Sequence, residues 1–202
     1  MKILTVFLLA ITIASTALAG FDDIEIKANI KGDYVIGVMV SDQRETVLKW
    51  GAAENLIGAH HSGLFKNRKD LFTDTKATVS NELTEGLRKQ FLKNWMSVAP
   101  ILTTPKDSRD ALDEKVRKAR LHRTFLITLK SLWVEAQNNN QTAVNYGFVI
   151  SVLDDKGVEL SKKPLEGIQS TGQWGSWGAA EVFGMLISNV LEDPKVVEAL
   201  VK

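Results

Sequence analysis

The chain has 202 residues, 45% of them hydrophobic, with 25 Lys and Arg against 24 Asp and Glu. That length suits one domain with a sizeable core, and the near-neutral balance excludes the basic field that nucleic acid or an anionic bilayer surface needs. Cysteine is absent, which excludes disulfides and an acyl anchor on an N-terminal cysteine.

Residues 1–19 read as a cleaved secretory signal peptide. Lys2 supplies the positive n-region, Ile3 to Ile13 the apolar h-region, and Ala17-Leu18-Ala19 a small-x-small cleavage site before Gly20. The apolar run is shorter than the ~20 residues a spanning helix needs, so no integral membrane span is expected. Removing it takes only Lys2 among charged residues and leaves 24 of each sign. The expectation is a periplasmic protein, with release outside the cell as the alternative destination.

Residues 20–202 are expected to form a single α/β domain. Ile24, Ile26, Ala28 and Ile30 alternate with Glu25, Lys27 and Asn29, the pattern of a half-exposed strand. The turn at Lys31-Gly32-Asp33 would pair it as a hairpin with the next strand. Asp33 to Arg44 reads DYVIGVMVSDQR. It is apolar on both faces, so it needs cover on both sides and predicts a central strand. Residues 45–73 break any period and read as a long irregular loop, with Leu56-Ile57-Gly58 as a short strand or a small extra hairpin as alternatives.

Thr73 or Asp74 would cap a helix whose stripe is Val79, Leu83, Leu87 and Phe91, extended by Leu92 and Trp95. A short strand at Val98 to Leu102 carries Pro100. A second helix starts within Pro105 to Ser108, with Asp110 and Asp113 early and Arg117 and Lys118 late, as the helix dipole favours. Residues 124–135 and 142–153 are strands, joined through an Asp154-Asp155-Lys156-Gly157 turn to a return strand from Val158. The apolar run from Ala179 predicts a buried helix, and Asp193-Pro194 caps a short terminal one. The fold class is therefore a mixed β-sheet packed against helices, with a C-terminal antiparallel meander and apolar terminal helices.

At Val40-Ser41-Asp42-Gln43-Arg44 the chain resembles the YajG-like family of bacterial envelope lipoproteins, whose first strand ends in Val-x-Asp-x-Arg. Ile57-Gly58, the helix from Val79 to Phe91, the Asp154 to Gly157 turn and the terminal helices from Val182 to Leu200 extend the resemblance over most of the chain. It departs from the family in lacking the lipobox cysteine. The resemblance implies an envelope protein and little about activity.

Asp42 and Arg44, two apart at a strand end, read as a structural ion pair or loop anchor, with anion or partner binding as the alternative. His60 and His61 are adjacent, so their side chains diverge, and His122 lies far off in sequence. No metal site and no cofactor is expected. Neither a G-x-S-x-G elbow nor a phosphate loop is present, which argues against an enzyme. The run Gly172-Gln173-Trp174-Gly175-Ser176-Trp177-Gly178 is the strongest binding candidate. Trp174 and Trp177 are its only large groups, suited to a protein partner or a glycan, and the alternative is two rings folded inward. The expected function is a non-enzymatic binding or assembly protein docking to an envelope protein or glycan. The alternative is a carrier or binder of a small apolar or glycan ligand.

Overall fold

The computed structural model describes residues 20–21, 24–28, 30–32, 34–62, 67–93, 97–136 and 141–202, without the side chains of 61, 62 and 67. The leader 1–19 and its cleavage site, Asp33 and Trp95 lie outside the described residues. Among these, seven strands form one mixed sheet: β1 (Val35–Asp42), β2 (Leu56–Ser62), β3 (Asn67–Phe72), β4 (Ser97–Ile101), β5 (Arg123–Ala136), β6 (Thr142–Asp154) and β7 (Glu159–Thr171). The helices are α1 (Glu45–Leu48), α2 (Val79–Lys93), α3 (Arg109–Ala119), α4 (Gly175–Leu191) and α5 (Pro194–Val201). No helix among the described residues is long and apolar enough to cross a membrane.

The long strand β5 organises the sheet. One of its edges pairs antiparallel with β6 from Arg123↔Asp154 to Ala136↔Thr142. The other is shared by two strands, both parallel to it: β1 from Ile36↔Arg123 to Asp42↔Leu129, then β2 from Gly58↔Val134 to His60↔Ala136. The sheet therefore forks between Leu129 and Val134. The fork closes onto β2 only at a glycine, because a Cβ on Gly58 would overlap the Val134 carbonyl. Strand β4, with Pro100 inside it, pairs with β1 and with no other described strand, the edge position where a missing N–H is tolerated.

Core lies on both faces, as a strand apolar on both sides requires. On one face Ile36, Val38, Phe125, Ile127, Phe148 and Ile150 pack with Leu83, Leu87 and Phe91 of α2 and Phe183 and Ile187 of α4. On the other, Met39, Leu126 and Leu153 pack with Leu112 and Val116 of α3. The α3 start is as the sequence indicates: the Ser108 hydroxyl accepts from Ala111 N. Gly157 takes φ +84° in the β6–β7 turn, and Asp193 caps α5 through Lys195 N with Pro194 in the first turn.

Five expectations need correction. Residues 24–28 form no hairpin strand. They lie across α4, and Ile24, Ile26 and Ile30 are buried. Lys27 N donates to Ser188 Oγ, and the backbone of Glu25 lies so close to Gly184 that a Cβ there would overlap its carbonyl. The alternation was therefore a true burial pattern, satisfied by a helix instead of a strand. The stretch 45–73 is not one long irregular loop: it holds α1 and, as the alternative reading had it, a small extra hairpin, β2–β3, paired from Leu56↔Phe72 to Ser62↔Asn67. Helix α2 starts at Val79, because Thr73 Oγ1 is spent on Ala77 O and Thr78 Oγ1 accepts from Asn81 N. Leu92 leaves its stripe and is 45% exposed. Finally, α4 begins at Gly175, inside the Trp-Gly run, so Trp177 is helical.

Candidate functional site

The Trp-Gly run is where β7 ends and α4 begins. Gly175 takes φ +59°, and its N–H donates to the buried Thr142 Oγ1 at 2.9 Å. Ser176 Oγ bonds Asp74 Oδ2 at 3.0 Å. A Cβ on Gly178 would press on Thr171, Thr142 and the Gln173 carbonyl, so this glycine lets the first turn of α4 sit against the ends of β6 and β7. Gly172 has open space around it, and nothing in the structure explains it.

With the backbone so pinned, both indoles face outward, each 44% exposed. The Trp174 ring meets His60 of β2 edge-on, centroids 5.3 Å apart. Trp177 opens the exposed stripe of α4, followed at helical spacing by Glu181, Met185 and Asn189. Beside that stripe runs a groove of about 690 Å³, walled across from α4 by Glu25 and Lys27 and closed by Glu192. Glu25, Glu181 and Glu192 give it a negative balance over Lys27. Thr171 Oγ1 donates to Glu181, fixing one carboxylate at the groove's Trp177 end.

Asp42 and Arg44 meet directly. Arg44 Nε and Nη2 donate to the two Asp42 oxygens at 2.9 and 2.7 Å, both residues being buried. The rest of the guanidinium reaches the 54–56 segment: Nη1 donates to Leu56 O at 2.5 Å and Nη2 to Glu54 O at 3.1 Å. A bidentate pair of this kind fixes orientation as well as charge. Here it ties the end of β1 to the start of β2 across the fork.

The fork itself is a cavity of about 580 Å³ that local sequence reasoning missed. Trp50, 73% exposed, stands after α1, and Trp133 comes from β5 with the Arg68 guanidinium 5.2 Å from its ring centre. The register shifts between Leu129 and Ser131, a bulge of the kind that re-aims side chains. Lys130 projects there, its Nζ donating to Gln43 Oε1 at 2.5 Å.

The histidines do not assemble. His60 packs on Trp174, and His122 on Tyr34 with its Nε2 near Lys202 O; the His61 side chain lies outside the described residues. Among the described residues no group of three or more His, Asp or Glu is placed to hold a metal ion. Asp154 Oδ1 is engaged in its turn by Lys156 N and Val158 N.

No family model matches the chain, and no curated protein sequence does. Solved structures do resemble it. A Xanthomonas campestris protein of family-model DUF330 is 8% identical at TM-score 0.43, over 87% of this chain and 91% of that one. The PelC dodecamer from Paraburkholderia phytofirmans is 15% identical at TM-score 0.41, over 86% and 92%. Lipoprotein GNA1162 from Neisseria meningitidis is 14% identical at TM-score 0.40, over 78% and 95%. Likeness this loose carries no argument about this chain, and the YajG-like resemblance rests on the residues quoted for it.

Proposed function

We propose that this chain is a non-enzymatic, exported envelope protein that docks to another envelope component through the face carrying Trp174 and Trp177. The observation that carries the reading is the pair of half-exposed indoles on a rigidly pinned helix start. Aromatic anchors on a fixed backbone lose little entropy on binding, which is why they dominate interface energetics. The groove beside Trp177 adds Met185 and an excess of carboxylates. It fits a partner segment that is apolar with basic residues, such as one face of an amphipathic basic helix. The leader 1–19 supports delivery to the periplasm. An apolar carrier is disfavoured, because the space between sheet and helices is filled by ring contacts: Phe91 on Phe125 at 5.4 Å and Phe148 on Phe183 at 5.2 Å.

The test is capture from envelope extracts with wild type, Trp174→Ala and Trp177→Ala, each checked by thermal melting. The expected result is a partner lost from both variants, with melting temperatures close to wild type. Rings shielded from acrylamide in the native protein, or a partner held equally by both variants, would remove the reading. Osmotic shock should release a chain beginning at Gly20; recovery only in detergent with Met1 retained would overturn the periplasmic assignment.

A further inference from the structure

We propose that the fork between β1 and β2 is a second binding site, independent of the Trp174 face, and that it takes an acidic saccharide. The cavity, about 580 Å³, lies within the range of small-molecule sites. Its walls combine two kinds of surface. Trp50, 73% exposed, is a flat apolar plate of the sort that stacks on the C–H face of a sugar ring, and Trp133, with the Arg68 guanidinium over its ring, forms the wall across from it, while Ser131, Asn145 and Thr46 offer hydroxyl and amide groups to ring hydroxyls.

The charge count selects the acid. Arg44 is matched by Asp42 at 2.7 Å, and Glu45 on the rim by Lys49 at 2.8 Å. Arg68 reaches Asp70 only at 3.5 Å, and stacks on Trp133. Lys130 alone has a neutral partner, the Gln43 amide oxygen, and no carboxylate pairs with it among the described residues. The cavity therefore holds one uncompensated ammonium beside an aromatic plate, the complement of one carboxylate on a sugar ring.

The site is also preorganised. Arg44 fixes its floor through Leu56 O and Glu54 O. The bulge at Lys130 turns that side chain out of the ladder. Gly147 on β6 leaves room for Ser131, since a Cβ there would stand 2.6 Å from Ser131 Oγ.

The experiment is calorimetric titration with the trimer of galacturonic acid and, as neutral control, maltotriose, at physiological ionic strength because exposed charge is screened. The acidic trimer should bind and maltotriose at least about tenfold more weakly, the factor that corresponds to about 1.4 kcal/mol. Lys130→Gln and Trp50→Ala should each weaken the acidic trimer about tenfold. Both side chains are exposed, so folding is expected to survive, and thermal melts confirm it. Should either variant fail to fold, Arg68→Gln replaces it. Trp174→Ala should leave saccharide binding unchanged, which separates this site from the docking reading. No binding by wild type, equal binding of the two trimers, or binding untouched by the fork variants but lost in Trp174→Ala would each overturn the proposal.

Discussion

Two surfaces of this molecule carry exposed tryptophans, and they are built in opposite ways. The α4 face is local: Trp174 and Trp177 lie three residues apart on one turn, held by Thr142, Asp74 and Gly178, beside a groove with excess carboxylate. The fork is non-local: Trp50 and Trp133 line one cavity because β1 and β2 share one edge of β5, and the charge left over there is an ammonium. The local face depends on one helix start; the fork depends on the whole sheet register. The two should therefore fail separately and attract partners of opposite sign.

The largest effect expected on this contrast comes from Asp42→Ala. It leaves a buried guanidinium without its carboxylate and should cost about 3–5 kcal/mol, read by urea denaturation. A loss below about 1 kcal/mol would show that the fork is not held by this pair. Gly58→Ala comes next, at about 1–3 kcal/mol for forcing a methyl into a filled site. It should move backbone NMR signals along β2 and around Trp133 more than those of α4. Gly184→Ala should cost a similar or smaller amount by lifting the 24–28 segment off α4, and it should disturb the Trp177 groove while leaving Lys130 and Trp133 signals in place. If each glycine variant perturbs both surfaces equally, the two surfaces are coupled and do not fail separately. His60→Ala should be milder, about 0.5–1.5 kcal/mol for a lost aromatic contact, with a change in Trp174 fluorescence as its signature.

The smallest effect is electrostatic and depends on pH. A hydrogen bond from Lys163, joined by the N–H of Lys195, holds the Asp193 carboxyl below the usual carboxylate range. Its contribution is complete above the unfolded-state value and is lost as pH falls through the lower folded one. Asp193→Asn should therefore melt below wild type at neutral pH, with the difference vanishing in strong acid. A gap that persists in acid would assign the effect to something other than the charge.

Most of the fold was legible in the sequence. The two-sided strand at Val35–Asp42, the α3 cap and the 154–157 turn can each be read from a few adjacent residues. The failures share a cause. The alternation of Ile24, Ile26 and Ile30 reports which side is buried, not what buries it, and here a helix with Gly184 does so. Residues 45–73 showed no period because β2 and β3 are short and tied down by distant groups, the Val134 ladder and the Arg44 guanidinium. The glycines around Trp174 and Trp177 marked the run but left open whether the rings face outward or fold inward, because that depends on how the start of α4 is held against β6 and β7; each ring is 44% exposed. The fork was not legible, since Trp50 and Trp133 come to line one cavity only through strand register, and single-strand patterns do not state register.

Strand β7 ends the sheet with 13 residues whose outer edge pairs with no other described strand. A long bare edge is a template on which a second copy can add. Pro164, opposite Val149, removes one N–H from that template, and Lys162 beside Lys163 places charge next to it. Lys163 is drawn to Asp193 at 2.8 Å, while Lys162 remains more than half exposed. Crowded among its own copies, the protein thus carries its own guard against fibrous self-assembly, written into the middle of its most vulnerable strand.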